Sequence, residues 1–565
     1  MTYALQDYWP KLEADVSRNE LKKHVEALMQ WERYSGTYGE YQAVAYVKDR
    51  LDDFGIDAKV EEFDGLISNN CHASVTIHAG DRRVVQCLTH PFSVSAPGGM
   101  RAEVAYAGTK PGDVDVAGKI AIVDGPGTPW DYAKWRSLGA VAIICHSRAK
   151  VVQDYIISGV WGTPEPSTAP NLPDVPVVSI DSASGDYLRS LLREGRVEVT
   201  VRTLLDTGIK DLRFPVAEIK GDPDSEEFVL IAGHMDSWYF GAQDNAAGNS
   251  SLLELARVLQ KHREKLKRNV RVAWWIGHSH GRFAASTWYC DNYWEDLARN
   301  CVGYLNVDQP GHRESTWMCG FATPDSARYI SGMIKTLVGQ DRQPPRPPRN
   351  ADQSFWGVGL PSFSYLPRLR EGSPDEAPDD PGGRKPWYQH TPHDTIDKLD
   401  FDLLRDHTYY FCATMMDLSN RGILPWDHAD TADAFAKRLS ELNEAGGTHL
   451  DLAPCFEQAA ALKRVAQEIS GAQGLSADRQ SKVSRGLLRA SQILLNIYYT
   501  EEGKYHQPNA IAQPFLPGLS EVGKLAQMSS ASEPYLFLKT KLIRERNRVT
   551  EGLRWAEETI RESFE

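Results

Sequence analysis

Four side chains in this 565-residue sequence have the type and placement to hold a divalent cation: His234, Asp244, Asp308 and His390. Imidazole nitrogen and carboxylate oxygen form the donor set of a Zn-type ion, one or two in number, with Mn, Fe, Co and Ni as further candidates. A cation so held polarises a carbonyl and activates water near neutral pH. Singly, a histidine or aspartate in a polar loop is ordinarily just solvated. The weight of the four comes from where they stand, since each follows a strand or lies in a loop near one.

The stretch FVLIAGHMDSWYFGAQDNAAGN, residues 228–249, shows how they are positioned. Its apolar opening reads as a buried strand, and the run after it has Leu252, Leu253, Leu255, Ala256 and Leu259 at helical spacing. His234 and Asp244 therefore sit on a loop at a strand's C-terminal end, where open α/β sheets bind ligands. VGYLNVDQPGH places Asp308 just beyond another strand, and KPWYQHTPHDTIDKLD carries His390 in a Pro-flanked loop. From 215 to 425, runs such as VRVAWWIG, CVGYLNVD and GLPSFSYL alternate with helical segments. That alternation predicts an α/β fold, a mostly parallel twisted sheet flanked by helices. Between about 70 and 205 the texture changes to short β runs broken by Gly and Pro, which predicts a β-rich insert. After about 430 strand signals vanish and helical ones replace them.

The net charge of −13 argues against nucleic acid or an anionic membrane as partner. No apolar run approaches the length of a spanning helix, and the first residues lack a basic segment followed by an apolar core. The eight cysteines are scattered with no CxxC pair, so a reducing cytoplasm is the expected location. The apolar faces of the C-terminal helices, among them Leu487, Leu488, Ile493, Leu494 and Ile497, lead to the expectation of a homodimer.

The motifs GHMDSWYFGAQDNAAG, NVD at 306–308 and HTPHDT at 390–395 resemble the M28 family of di-zinc peptidases. GKIAIVDGPG, LGAVAIICHS and VPVVSI resemble a protease-associated insert. The helical end is similar in architecture to the dimerisation domain of the glutamate carboxypeptidase II and transferrin receptor branch. The resemblance implies a catalytic domain from 1–70 and 205–425, an insert at 71–204 and a helical domain at 426–565. It also implies that His234 and Asp308 hold one metal, Asp244 bridges and His390 holds the second. Asp236 would orient His234, and the Asp244–Asn245 peptide would be cis.

One departure stands out. Where the family carries two consecutive glutamates, a general base and a metal ligand, this chain reads IGHSHGRFAAS, and no glutamate lies between Glu264 and Glu295. Three readings of His278 and His280 follow. Both reach a metal from one side of an extended segment; one is a ligand and the other a base; or the loop is a remnant. Tyr388 is a candidate donor to a developing oxyanion, and Arg282 and Arg349 are candidate clamps for a substrate carboxylate. The function expected is hydrolysis of an amide or peptide-like C–N bond in a specialised small molecule or short peptide bearing a carboxylate. The alternatives are a metal-dependent lyase with a histidine base, and a binding protein without catalysis.

Overall fold

The strand Phe228–His234 is buried at every residue, flanked in parallel by Asn269–Trp275 and Cys301–Val307. Register pairs His234 with Trp275 and Ala232 with Asn306, so the three strands finish along one edge. Strands covered on both faces are largely apolar, which is why all three read as mainly hydrophobic runs. Ser362–Tyr365 extends the sheet in parallel beyond Cys301–Val307, and Phe321–Ala322 closes that side antiparallel. The helices Arg18–Leu28, Ala247–Lys261 and Phe401–Asn420 pack on one another over the central strand. Leu252, Leu253, Leu255, Ala256 and Leu259 are all buried there.

This computed structural model describes residues 3–80, 82–109, 114–347, 351–380, 382–470, 474–501, 503–507 and 514–565. Two long strands, Asp57–Ile77 and Glu198–Ile219, pair antiparallel and run straight through positions 70 and 205. Glu198–Ile219 pairs with Asn269–Trp275 at one end and with Met100–Gly108 at the other. The sheet thus continues into the β-rich segment, where Met100–Gly108, Ile120–Asp124, Ala142–His146 and Val177–Ile180 lie parallel in that order.

Beyond residue 420 the chain folds as His428–Gly446, Ala453–Ser470, Ala477–Tyr499 and Glu533–Phe564, helices sharing a core that includes Phe435, Leu462, Leu494 and Leu553. Leu487, Leu488, Leu494 and Ile497 are buried within the single chain, and Ile493 packs half-buried against the same core. The faces from which a dimer was expected are therefore already covered. They are apolar because the helices pack on each other and on the sheet domain. Among the described residues no helix is long and apolar enough to cross a membrane, and none of the eight cysteines is joined in a disulfide.

Candidate metal centre

The common strand edge brings the four residues together. His234 Nε2 lies 3.0 Å from Asp244 Oδ1 and 3.4 Å from Asp308 Oδ1. One ligand atom from each of these three falls within 4.8 Å of the others. The second oxygen of Asp244 lies 3.0 Å from His390 Nε2, so one carboxylate spans two imidazoles. Each histidine is fixed from behind. His234 Nδ1 donates to the Asp236 carbonyl at 2.9 Å and His390 Nδ1 to the Asp154 carbonyl at 2.8 Å. Those bonds leave Nε2 as the free lone pair of both rings. The Asp244–Asn245 peptide is cis.

The donor set fits a cation. Apart from the imidazoles they face, Asp244 Oδ1 and Asp308 Oδ1 have no hydrogen-bond donor, although both atoms are buried. Carboxylate oxygens left so are costly without a positive partner. In the metal-free protein that partner is a proton. Burial depresses His234, but hydrogen bonds and charge from Asp244 and Asp308 outweigh it and raise its pKa well above the ordinary value. The same balance, through Asp244, raises His390. Burial likewise opposes ionisation of Asp244, yet the two imidazoles hold its carboxyl well below the usual range. A metal needs neutral imidazoles, so cation and proton compete for the same lone pairs.

Several supports were not legible in the sequence. Asp394 accepts from the backbone N–H groups of Gln243 at 2.8 Å and Asp244 at 3.0 Å, and burial pushes its carboxyl up to about 7. Gln309 and Gln389 donate to Asp244 Oδ2 at 2.9 and 3.0 Å. Arg33, fully buried, donates to the carbonyls of Met235, Phe240 and Gly241 and so pins the loop between His234 and Asp244. Asp394 and Gln309 lie inside motifs already singled out. Arg33 stands 202 positions before Met235 in the loop it holds, and nothing local announces it.

The His278–His280 segment is not extended. Its strand ends at Trp275, Gly277 has φ +67°, and Arg282 and Phe283 also have positive φ. Phe283 N–H donates back to the His278 carbonyl, closing a turn. Side-chain alternation, from which both imidazoles were expected on one side, does not apply here. The His278 ring stacks on His234 with 4.0 Å between centroids, and its Nδ1 lies 2.6 Å from Asp352 Oδ2. His280 is fully buried against Tyr34 and Trp238, its Nδ1 3.5 Å from Asp236 Oδ2, and neither ring nitrogen makes a hydrogen bond. It lies outside the cluster of His234, Asp244 and Asp308. Burial lowers its pKa.

Asp236 supports both features, with a division of labour that the sequence did not reveal. Its carbonyl orients His234, while its carboxylate accepts from the N–H groups of His278 and Ser279 at 3.1 and 3.0 Å. Tyr388 is buried with its hydroxyl unpartnered. Arg282 is buried against Trp161 and Phe283, and burial lowers its guanidinium to about 9. Arg349 lies outside the described residues.

With this geometry in view, the likenesses to known proteins are specific. Residues 216–415 match the model of peptidase family M28. Over 342 residues the chain is 25% identical to a probable glutamate carboxypeptidase, VP8, of Zea mays, covering 48% of each chain. It is 24% identical to a probable glutamate carboxypeptidase, LAMP1, of Arabidopsis thaliana, covering 47% of this chain and 40% of that one. The chain thus spans less than half the length of these relatives. Among solved structures, an aminopeptidase from Aneurinibacillus sp. strain AM-1 superposes with a TM-score of 0.54 at 20% identity, covering 73% of this chain and 95% of that one. A zinc aminopeptidase from Bacillus subtilis gives 0.54 at 21% identity, covering 70% and 93%. These superpositions establish a shared fold.

Proposed function

Starting from an M28 peptidase domain at residues 216–415, we propose that this protein is a metal-dependent hydrolase of an amide or peptide-like C–N bond. The observation that carries the reading is the Asp244 carboxylate set between two histidine Nε2 atoms, beside a second buried and undonated oxygen on Asp308. His234 and Asp308 would hold one cation, His390 a second, and Asp244 would be shared. When bound, such ions supply Lewis acidity toward a carbonyl oxygen and toward water.

The remaining work falls to the chain's own side chains. His278 takes the place of the absent glutamate base: its Nδ1 is engaged by Asp352, which leaves Nε2 to accept a proton from attacking water. Tyr388, whose hydroxyl has no internal partner, offers an O–H to the developing oxyanion. A carboxylate-bearing substrate is supported by Arg368, a half-buried cation whose Nη1 donates to Gln309 Oε1 at 3.1 Å, one residue from Asp308.

The test is metal stoichiometry combined with product analysis in ¹⁸O-water, using leucyl anilides, dipeptides and N-acyl glutamates. Two ions per chain and label in the released carboxylate are expected. An unlabelled alkene would replace hydrolysis by elimination. Tight metal with no turnover of any of these would leave a binding protein.

A further inference from the structure

We infer that Asp352 is a positioning residue for His278, holding the imidazole in the one tautomer that presents a lone pair at Nε2; this rests on the hydrolase reading above. Both oxygens of the buried Asp352 carboxylate are engaged. Oδ2 lies 2.6 Å from His278 Nδ1, and Oδ1 accepts from Ser286 Oγ at 2.8 Å. An ionised carboxylate only accepts, so the contact places the ring proton on Nδ1.

The ring is held on its other sides as well. His234 covers one face at 4.0 Å, and Phe283 meets it edge-on at 4.8 Å and 87°. Behind Asp352 the polar chain continues into the β-rich segment. Ser286 Oγ lies 2.9 Å from Ser354 Oγ, which accepts from Trp161 Nε1 at 2.9 Å, and Trp161 stacks on Phe283 at 4.1 Å. A carboxylate serving structure alone would be satisfied by hydroxyl and backbone donors. This one engages the imidazole lying directly against a candidate metal ligand.

The Ser286 bond dictates what a single substitution does. In D352N an amide that keeps its oxygen toward Ser286 O–H sets its NH2 group against His278 Nδ1 and favours the ring proton on Nε2. The experiment records ring ¹⁵N spectra of histidine-labelled, Zn-loaded and metal-free protein, with the His278 signals identified by their loss in H278Q. Wild type should show a protonated Nδ1, and D352N a protonated Nε2 with metal content unchanged.

On whichever of the substrates above is turned over, D352N should lose roughly 10²–10⁴-fold in kcat with KM little changed. The double variant S286A/D352N frees the amide to flip and should recover part of the loss, as should D352E. A wild-type His278 ring that carries its proton on Nε2, or a D352N kcat loss matched by metal loss, would overturn the inference. If wild type hydrolyses nothing, the functional reading fails on its own, while the ring spectra still decide what Asp352 does.

Discussion

His278 and His280 leave one turn two residues apart, yet their surroundings have little in common. One imidazole is stacked on His234, bonded through Nδ1 to Asp352, with its side chain 14% exposed. The other is enclosed by Tyr34, Trp238 and Asp236, without exposure and without a hydrogen bond at either nitrogen. A base needs an orienting partner, a free lone pair and access to the proton it takes. The first pocket supplies these, whereas the second closes the ring off from solvent on all sides. Residue type made the two equivalent, and the fold of the turn makes them different.

The largest effect that tests this contrast is H278Q. It should lower kcat by roughly 10²–10⁴-fold with metal content retained, measured by steady-state kinetics beside elemental analysis. Loss of metal instead would make His278 a ligand. Next in size is H390A, which should remove one cation per chain and spare the one at His234 and Asp308. Calorimetric titration of the wild-type protein with Zn²⁺ in two buffers should register proton release. The protein's Zn²⁺ affinity should fall as pH is lowered, by up to about tenfold per unit for each histidine that must give up its proton, because the free site holds His234 and His390 above their ordinary pKa.

H280A should cost about 2–4 kcal/mol of stability by opening a cavity beside Trp238, with metal stoichiometry unchanged. Denaturant unfolding of the metal-free protein measures it, and a missing ion per chain would reinstate His280 as a ligand. A further effect concerns the other enclosed histidines. Burial lowers His24, His90 and His312 to about 4 each. Their unfolded-state pKa is about 6.5, so the stability they contribute is complete above that value. It should decline as pH falls toward 4, by up to about 3 kcal/mol for His24. In H24Q the acid slope of the unfolding midpoint should flatten, and an unaltered slope would show that His24 is protonated in the folded protein.

What the sequence made legible was whatever a single strand or helix determines. Phe228–His234 and Cys301–Val307 announce themselves because burial on both faces leaves them mostly apolar, and His234 and Asp308 stand at or just past their ends. The turn after Trp275 was misjudged by treating Gly277 to Gly281 as extended, although two glycines in five residues already signal a turn. Nothing in the sequence pairs Asp352 with His278. Their partnership spans 74 positions and exists only in the folded chain. Leu487 and Leu494 show the same limit from another side, since an apolar helix face looks alike whether it meets its own chain or another copy.

The Asp154–His390 contact is reciprocal: His390 Nδ1 donates to the Asp154 carbonyl, and Asp154 N–H donates at 3.1 Å to the His390 carbonyl. Gln153 adds a bond to the Gln389 carbonyl at 2.8 Å. Such a clasp is subject to thermodynamic linkage. Whatever free energy its closure lends to a cation at His390 Nε2, the cation returns in full to the seating of residues 153 and 154. If His390 holds a cation as proposed, metal occupancy and the docking of residues 153 and 154 would be two readings of one equilibrium.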